Sequence, residues 1–273
     1  MLKDITMGQF FPGESLLHKM NPSLKIIATV LYIVPVFLCK SAAAFAFIFT
    51  ITVLIIIVSG VPVKVILRSV RPLIFILVFT TVYNVFFTKG DTLLFSLGFV
   101  RVYREGVFNA VLIAVRILCL LVGSSVVLTY TTSPIMLTDG LETLLKPLTW
   151  IGVDVHTFAM MMSIALRFIP TLIEETDKII SAQKARGADF ESGNLIRRAR
   201  ALIPILVPLF ASSIRHAVDL ATAMECRCYR GGRGRTKMTT LRPDAADWIV
   251  LLFFALLIPA AILLNVYVPF FSI

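Results

Sequence analysis

Charge is scarce in this sequence: 15% of its 273 residues are charged, against 58% hydrophobic. A soluble domain of this size cannot cover so much apolar surface with so few charges, which excludes an ordinary globular enzyme. No Gly-x-x-x-x-Gly-Lys-Ser/Thr occurs, so the chain cannot supply a P-loop for ATP. The three histidines, His18, His156 and His216, are scattered, which leaves no triad or metal cluster and no catalytic residue to name. The four cysteines form no disulfide framework. Cys39 and Cys119 lie in apolar runs, where a thiol acts as a small hydrophobe. Cys226 and Cys228 form a Cys-x-Cys in a basic stretch without a second pair or neighbouring acids, weak grounds for a metal. No signal peptide is expected from the polar start, Met1 to Lys25.

What is present is a series of long apolar runs. A bilayer core needs about 20 apolar residues in a helix. Residues 24–38, 42–59, 72–87, 107–130 and 248–268 satisfy or approach that length, each bounded by charges, Gly or Pro. The expected fold is therefore an all-α integral membrane protein, with about five transmembrane helices and long cytosolic amphipathic helices. The formal net charge of +10 is concentrated between and beside the apolar runs. The positive-inside rule then sets the N-terminus in the cytosol and the C-terminus outside a cytoplasmic membrane, with the loop of Lys89, Arg101 and Arg104 as the exception. Trp248 marks the inner interface of the last run. Arg116 is lodged deep within an apolar run and is expected to snorkel or to pair inside the bundle.

Three parts are expected: a membrane domain over 1–130, a cytosolic domain of three helices over 131–244, and a final membrane helix over 245–273. In the middle part, Ser133-Pro134 starts a short amphipathic helix. Asp154 caps a second helix reaching about Gly187, and a third runs from about Leu195 to Arg227. Were these two also spans, Lys178, Lys184, Arg186, Arg197, Arg198 and Arg200 would face outward, and Arg167 would enter the bilayer at about 2.5–3.5 kcal/mol. A seven-span bundle is the alternative to cytosolic helices. The methionines Met136, Met160, Met161, Met162 and Met224 suit either an adaptable docking surface or ordinary packing.

Both long helices end on an Arg followed by a breaker: Ala185-Arg186-Gly187 in one and Cys226-Arg227-Cys228 in the other. A cation in the last turn suits the helix dipole, which explains each Arg alone. Two such tips with small neighbours also look like two plugs, each offering a rigid five-donor guanidinium to a groove. The basic loop 227–242 suits anionic lipid at the inner leaflet. Nucleic acid is not expected as a partner, since no aromatic platform exists beyond Tyr229.

The stretch Ala165-Leu166-Arg167-Phe168-Ile169-Pro170-Thr171-Leu172-Ile173-Glu174-Glu175, continuing to Ala185-Arg186-Gly187-Ala188-Asp189, resembles the T component of energy-coupling factor transporters. So do Ala223-Met224-Glu225, Tyr229-Arg230-Gly231-Gly232 and Gly234-Arg235-Thr236-Lys237, and, at the start, Gly8-Gln9-Phe10-Phe11-Pro12-Gly13 with Ser15, Leu17-His18 and Pro22. The second motif departs from the family's usual Ala-Arg-Gly, but Arg227 is kept and cysteine is small. The resemblance implies a non-catalytic coupling subunit for vitamin or micronutrient uptake. Its partners would be two ABC-type ATPases, which bind the ATP and magnesium, and a substrate-binding S component; no cofactor is implied in this chain. The ATPase-docking residues would be Ala185, Arg186, Gly187, Cys226, Arg227 and Cys228. A dedicated cobalt- or nickel-type T component and a self-contained secondary carrier are the alternatives.

Overall fold

In the computed structural model the described residues are 10–88, 92–97, 100–188, 190, 194, 196, 200–231 and 243–267. Gly8, Gln9, Lys89, Asp189, Leu195, Arg197, Arg198, the loop residues 232–242 and the tail 268–273 lie outside them. The chain divides into two compact units: residues 7–143 with 241–273, and residues 144–240 with 1–6.

The first unit is a helical bundle. It contains α1 (Leu16–Lys19), α2 (Pro22–Leu38), α3 (Ala42–Ser59), α4 (Val63–Val70), α5 (Ile74–Phe87), α6 (Arg104–Ser124) and most of α7 (Pro134–Leu145). The C-terminal helix Ala245–Tyr267, named α10 below in chain order, also belongs to it. α10 packs along α2, α6 lies against α2, α3 and α5, and the core gathers Ala28, Tyr32, Val36, Ile48, Val126, Val127, Phe254 and Ala261. Helix α3 matches the expected run, capped by Ser41 and stopped at Gly60, whose φ of 67° suits a residue without Cβ.

Two elements escaped the sequence reading. The stretch before α5 is itself helical (α4), with Lys64 and Arg68 beside exposed Val63 and Leu67 and buried Ile66. Between α5 and α6 stands an antiparallel hairpin of β1 (Leu93–Leu97) and β2 (Val100–Tyr103), pairing Leu93 with Tyr103 and Leu97 with Val100. It is the one sheet among the described residues of an otherwise all-α fold.

Both cations inside the bundle sit on helix C-terminal carbonyls. α6 loosens into a π-turn over Ser125–Tyr130, and beyond it the Lys25 ammonium, 1% exposed, donates to Thr131 O at 2.8 Å, Thr132 Oγ1 at 3.1 Å and His18 O at 3.2 Å. Arg116 Nη2 donates to Cys39 O, the α2 cap, at 2.8 Å, and its guanidinium lies 5.0 Å from the Phe45 ring centroid. Carbonyls that end a helix in an apolar surround have no water, and a cation both satisfies them and meets the negative end of the dipole. Arg116 thus pairs within the bundle. Lys25, the last residue of the polar start, is thus a buried charge. Lys25→Met is expected to cost about 1–3 kcal/mol by stranding those acceptors, read as a lower unfolding temperature in detergent.

Asn265, near the end of α10, closes the opposite turn: its Oδ1 accepts from Lys40 N at 3.0 Å and Ser41 N at 3.1 Å, and its Nδ2 donates to Leu38 O at 2.8 Å. At the start of α10, Asp247 Oδ2 accepts from Asp244 N at 3.1 Å and Asn21 N at 3.4 Å.

The second unit holds α8 (Val155–Ala185) and α9 (Ile203–Cys226). By length and composition six helical stretches could cross a membrane: Ala42–Ser59, Val63–Phe87, Arg104–Tyr130, Val155–Ala185, Ile203–Cys226 and Ala245–Tyr267. Pro22–Leu38 is a shorter apolar helix. Residues 203–211, with Pro204 and Pro208 among them, are thus part of a helix long enough to cross. Length does not separate α8 and α9 from the spans; their charges do, as argued below.

Candidate functional site: two arginine-tipped helices

Helix α8 starts where Asp154 Oδ1 accepts from Thr157 N at 3.1 Å, the N-cap expected from sequence. It continues for 31 residues with Pro170 inside. Helix α9 takes Pro204 in its first turn, where the missing N–H costs nothing, and carries Pro208 inside.

The two helices run antiparallel. Gln183 Nε2 donates to Pro204 O at 3.4 Å, so the end of α8 meets the start of α9. Further along, Ser212 hydrogen-bonds Glu175, His216 Nε2 lies 3.5 Å from Glu175 Oε2, and the His216 ring stacks on Phe168 at 6.0 Å. Beyond that point Ile164, Phe168 and Leu172 face His216, Leu220 and Met224 across an apolar groove of about 340 Å³. The Glu175–Ser212–His216 brace was not legible along the chain, because its members lie on separate helices and in no recognisable motif.

Antiparallel packing places the two C-terminal tips at opposite ends of the pair. Arg186 lies 22 residues beyond Ile164, which faces the α9 tip, and at 1.5 Å per residue that is roughly 30 Å along α8. The six residues expected to dock therefore form two separate groups: Ala185, Arg186 and Gly187 at one end, Cys226, Arg227 and Cys228 at the other. All six are exposed.

Both tips close identically. At α8, Gly187 N donates to Lys184 O at 3.0 Å and Ala188 N to Gln183 O at 3.0 Å. At α9, Cys228 N donates to Glu225 O at 2.8 Å and Tyr229 N to Met224 O at 3.0 Å. These are the paired bonds of a Schellman motif, with Arg186 and Arg227 each at the cap and the next residue left-handed. Gly187 has φ 85° with open space where a Cβ would stand, so backbone conformation alone calls for glycine. Cys228 holds the same place at φ 58°, the one non-glycine with positive φ among the described residues. A side chain there costs about 1 kcal/mol. From sequence, Gln183 and Lys184 were not singled out, and Met224 and Glu225 entered through the methionine set and the family resemblance, none of them as closing residues; the Arg-then-breaker pattern was the available signal.

Gly187→Val is expected to fray the α8 tip, since a β-branched residue is a severe misfit in this backbone region. Faster amide exchange at Gln183–Ala188 than in the wild type checks it. Cys228→Gly is expected to act in the opposite sense, slowing exchange over the α9 tip by several-fold.

No group of three or more His, Cys, Asp or Glu side chains that could hold a metal occurs among the described residues.

The family described as CbiQ, Cobalt transport protein, matches residues 13–238. The energy-coupling factor transporter transmembrane protein EcfT of Clostridium kluyveri is 50% identical over 268 residues, 98% of this chain and 99% of the relative. The protein of the same name from Ruminiclostridium cellulolyticum is 50% identical over 250 residues, 92% of this chain and 93% of the relative. That of Lactococcus lactis subsp. cremoris is 42% identical over 246 residues, 90% and 92% respectively. The chain belongs to the CbiQ/EcfT family: it is a multi-pass membrane protein and the non-catalytic transmembrane component of an energy-coupling factor transporter.

Proposed function

We propose that α8 and α9 are coupling helices whose arginine tips, Arg186 and Arg227, plug into grooves on two ABC-type ATPase subunits. The observation that carries this reading is the pair of identically closed, exposed tips at opposite ends of one antiparallel unit. A tip held by a Schellman motif presents its guanidinium from a rigid frame, so little side-chain freedom is lost on docking. Roughly 30 Å between tips suits two sockets rather than one. ATP and magnesium stay with the ATPases, and closure of that pair would move the two tips and tilt or release a membrane S component that binds the vitamin or other micronutrient.

Charge distribution supports a cytosolic location for α8 and α9. As spans they would bury Arg167, which stands exposed on α8, at about 2.5–3.5 kcal/mol. They would also set Lys178, Lys184, Arg186 and Arg200 on the outer side. With the other four stretches and the shorter α2 as five crossings, the N-terminus is cytosolic and the C-terminus external. Met161 and Met162 are exposed on α8, a soft surface suited to S components of different shape. Anionic inner-leaflet lipid would meet the basic loop 227–242. A dedicated cobalt- or nickel-type component is the second reading, favoured by the family description; the name of the relatives favours the energy-coupling factor module.

Tagged chain purified in mild detergent from its own host is expected to bring down two ABC ATPase subunits and a small membrane protein. Recovery of the folded chain without any ATPase would overturn the proposal.

A further inference from the structure

The two tips share one backbone and differ in chemistry. Where Ala185 and Gly187 flank Arg186, Cys226 and Cys228 flank Arg227. Both thiols are exposed, whereas Cys39 and Cys119 are buried. Cys228 moreover occupies a left-handed position that glycine fills at no steric cost in the sister tip. A cysteine at that place strains the very turn that presents Arg227.

We propose that Cys226 and Cys228 form a thiol-modification site that gates docking of the α9 tip, taking low-molecular-weight disulfides of the acidic-peptide class. This rests on the docking role of Arg227 given above. A thiolate at either position attacks one sulfur of the small disulfide; its S–S bond breaks as the new mixed S–S bond forms. The departing half leaves as a thiolate and takes up the proton the cysteine shed, and a free thiol restores the tip by the reverse exchange. Arg227 and Arg230, both exposed, attract an acidic disulfide to the site. An adduct on either cysteine is one residue from Arg227 and adds bulk and carboxylates to a tip where close approach and positive charge are needed. Only α9 is switchable, since α8 carries no thiol at its tip.

The test uses the full chain in detergent, with its own ATPases and glutathione disulfide as the probe. Treated before the ATPases are added, the chain is expected to gain a mixed-disulfide mass located at Cys226 or Cys228 and to lose at least ten-fold in ATPase recovery. Dithiothreitol should restore both. Cys226→Ala/Cys228→Gly, which gives the α9 tip the residues of its sister, should gain no adduct, and its ATPase recovery should be the same with and without the disulfide. Prior docking should protect the thiols. An adduct at these cysteines with unchanged recovery, or no adduct there under conditions that label an exposed reference thiol, would overturn the proposal. Failure of the underlying docking role reads differently: untreated chain carrying Arg227→Glu would then hold its ATPases as well as wild type.

Discussion

Arg186→Glu/Arg227→Glu is expected to abolish ATPase recovery while leaving the chain folded and monodisperse. Both arginines are exposed helix caps, so reversal removes no core contact. In the docked state proposed above each guanidinium would be desolvated against carbonyls or a carboxylate. Truncating one side of such a contact costs about 2–5 kcal/mol, and reversal adds repulsion. Losing two therefore weakens docking by on the order of 10³-fold or more. Single reversals should give intermediate losses, because the remaining tip still anchors one end. Equal recovery of the double variant and wild type would remove both tips from the interface.

Gly123→Val is expected to have the largest effect on folding. A Cβ at 123 would stand 2.3 Å from Cζ and Oη of Tyr32. That ring is fully buried, sits edge-on to Phe254 with centroids 6.3 Å apart, and its hydroxyl bonds Thr52 Oγ1 at 2.7 Å and donates to Cys119 O at 2.9 Å. The hydroxyl uses the space that glycine leaves to reach a carbonyl one turn back on α6. The ring cannot swing aside without surrendering those bonds. Overpacking of about 1–3 kcal/mol then adds to unsatisfied groups at about 1–3 kcal/mol each. Purified Gly123→Val should aggregate or lose its cooperative unfolding transition in detergent, and adding Tyr32→Leu should recover part of it. Wild-type behaviour of the single variant would show that the α2–α6 contact is looser than described.

The legible parts of the fold were those written in local pattern. The uncharged run 42–59 emerges as α3 without a shifted end, and Asp154 caps α8 as a short polar side chain before an apolar periodic run should. The start of the first run moved from 24 to Pro22: Lys25, counted with the polar start as well as with the run, lies inside α2, and the end of α6 supplies carbonyls for it. The π-turn of Ser125–Tyr130 and the 93–103 hairpin depend on neighbours in space, which spacing along the chain does not encode. For the candidate site, the Arg-breaker pattern pointed to both tips. Their shared Schellman closure, and the antiparallel pairing that sets them at opposite ends, required coordinates.

A photo-crosslinking amino acid placed at 186, at 227, or at both, in the assembled membrane complex tests the two-socket arrangement most directly. Each single placement should trap one ATPase subunit, and the double placement should trap two on one chain. Both positions reaching a single ATPase, or neither reaching one in an intact complex, would contradict it.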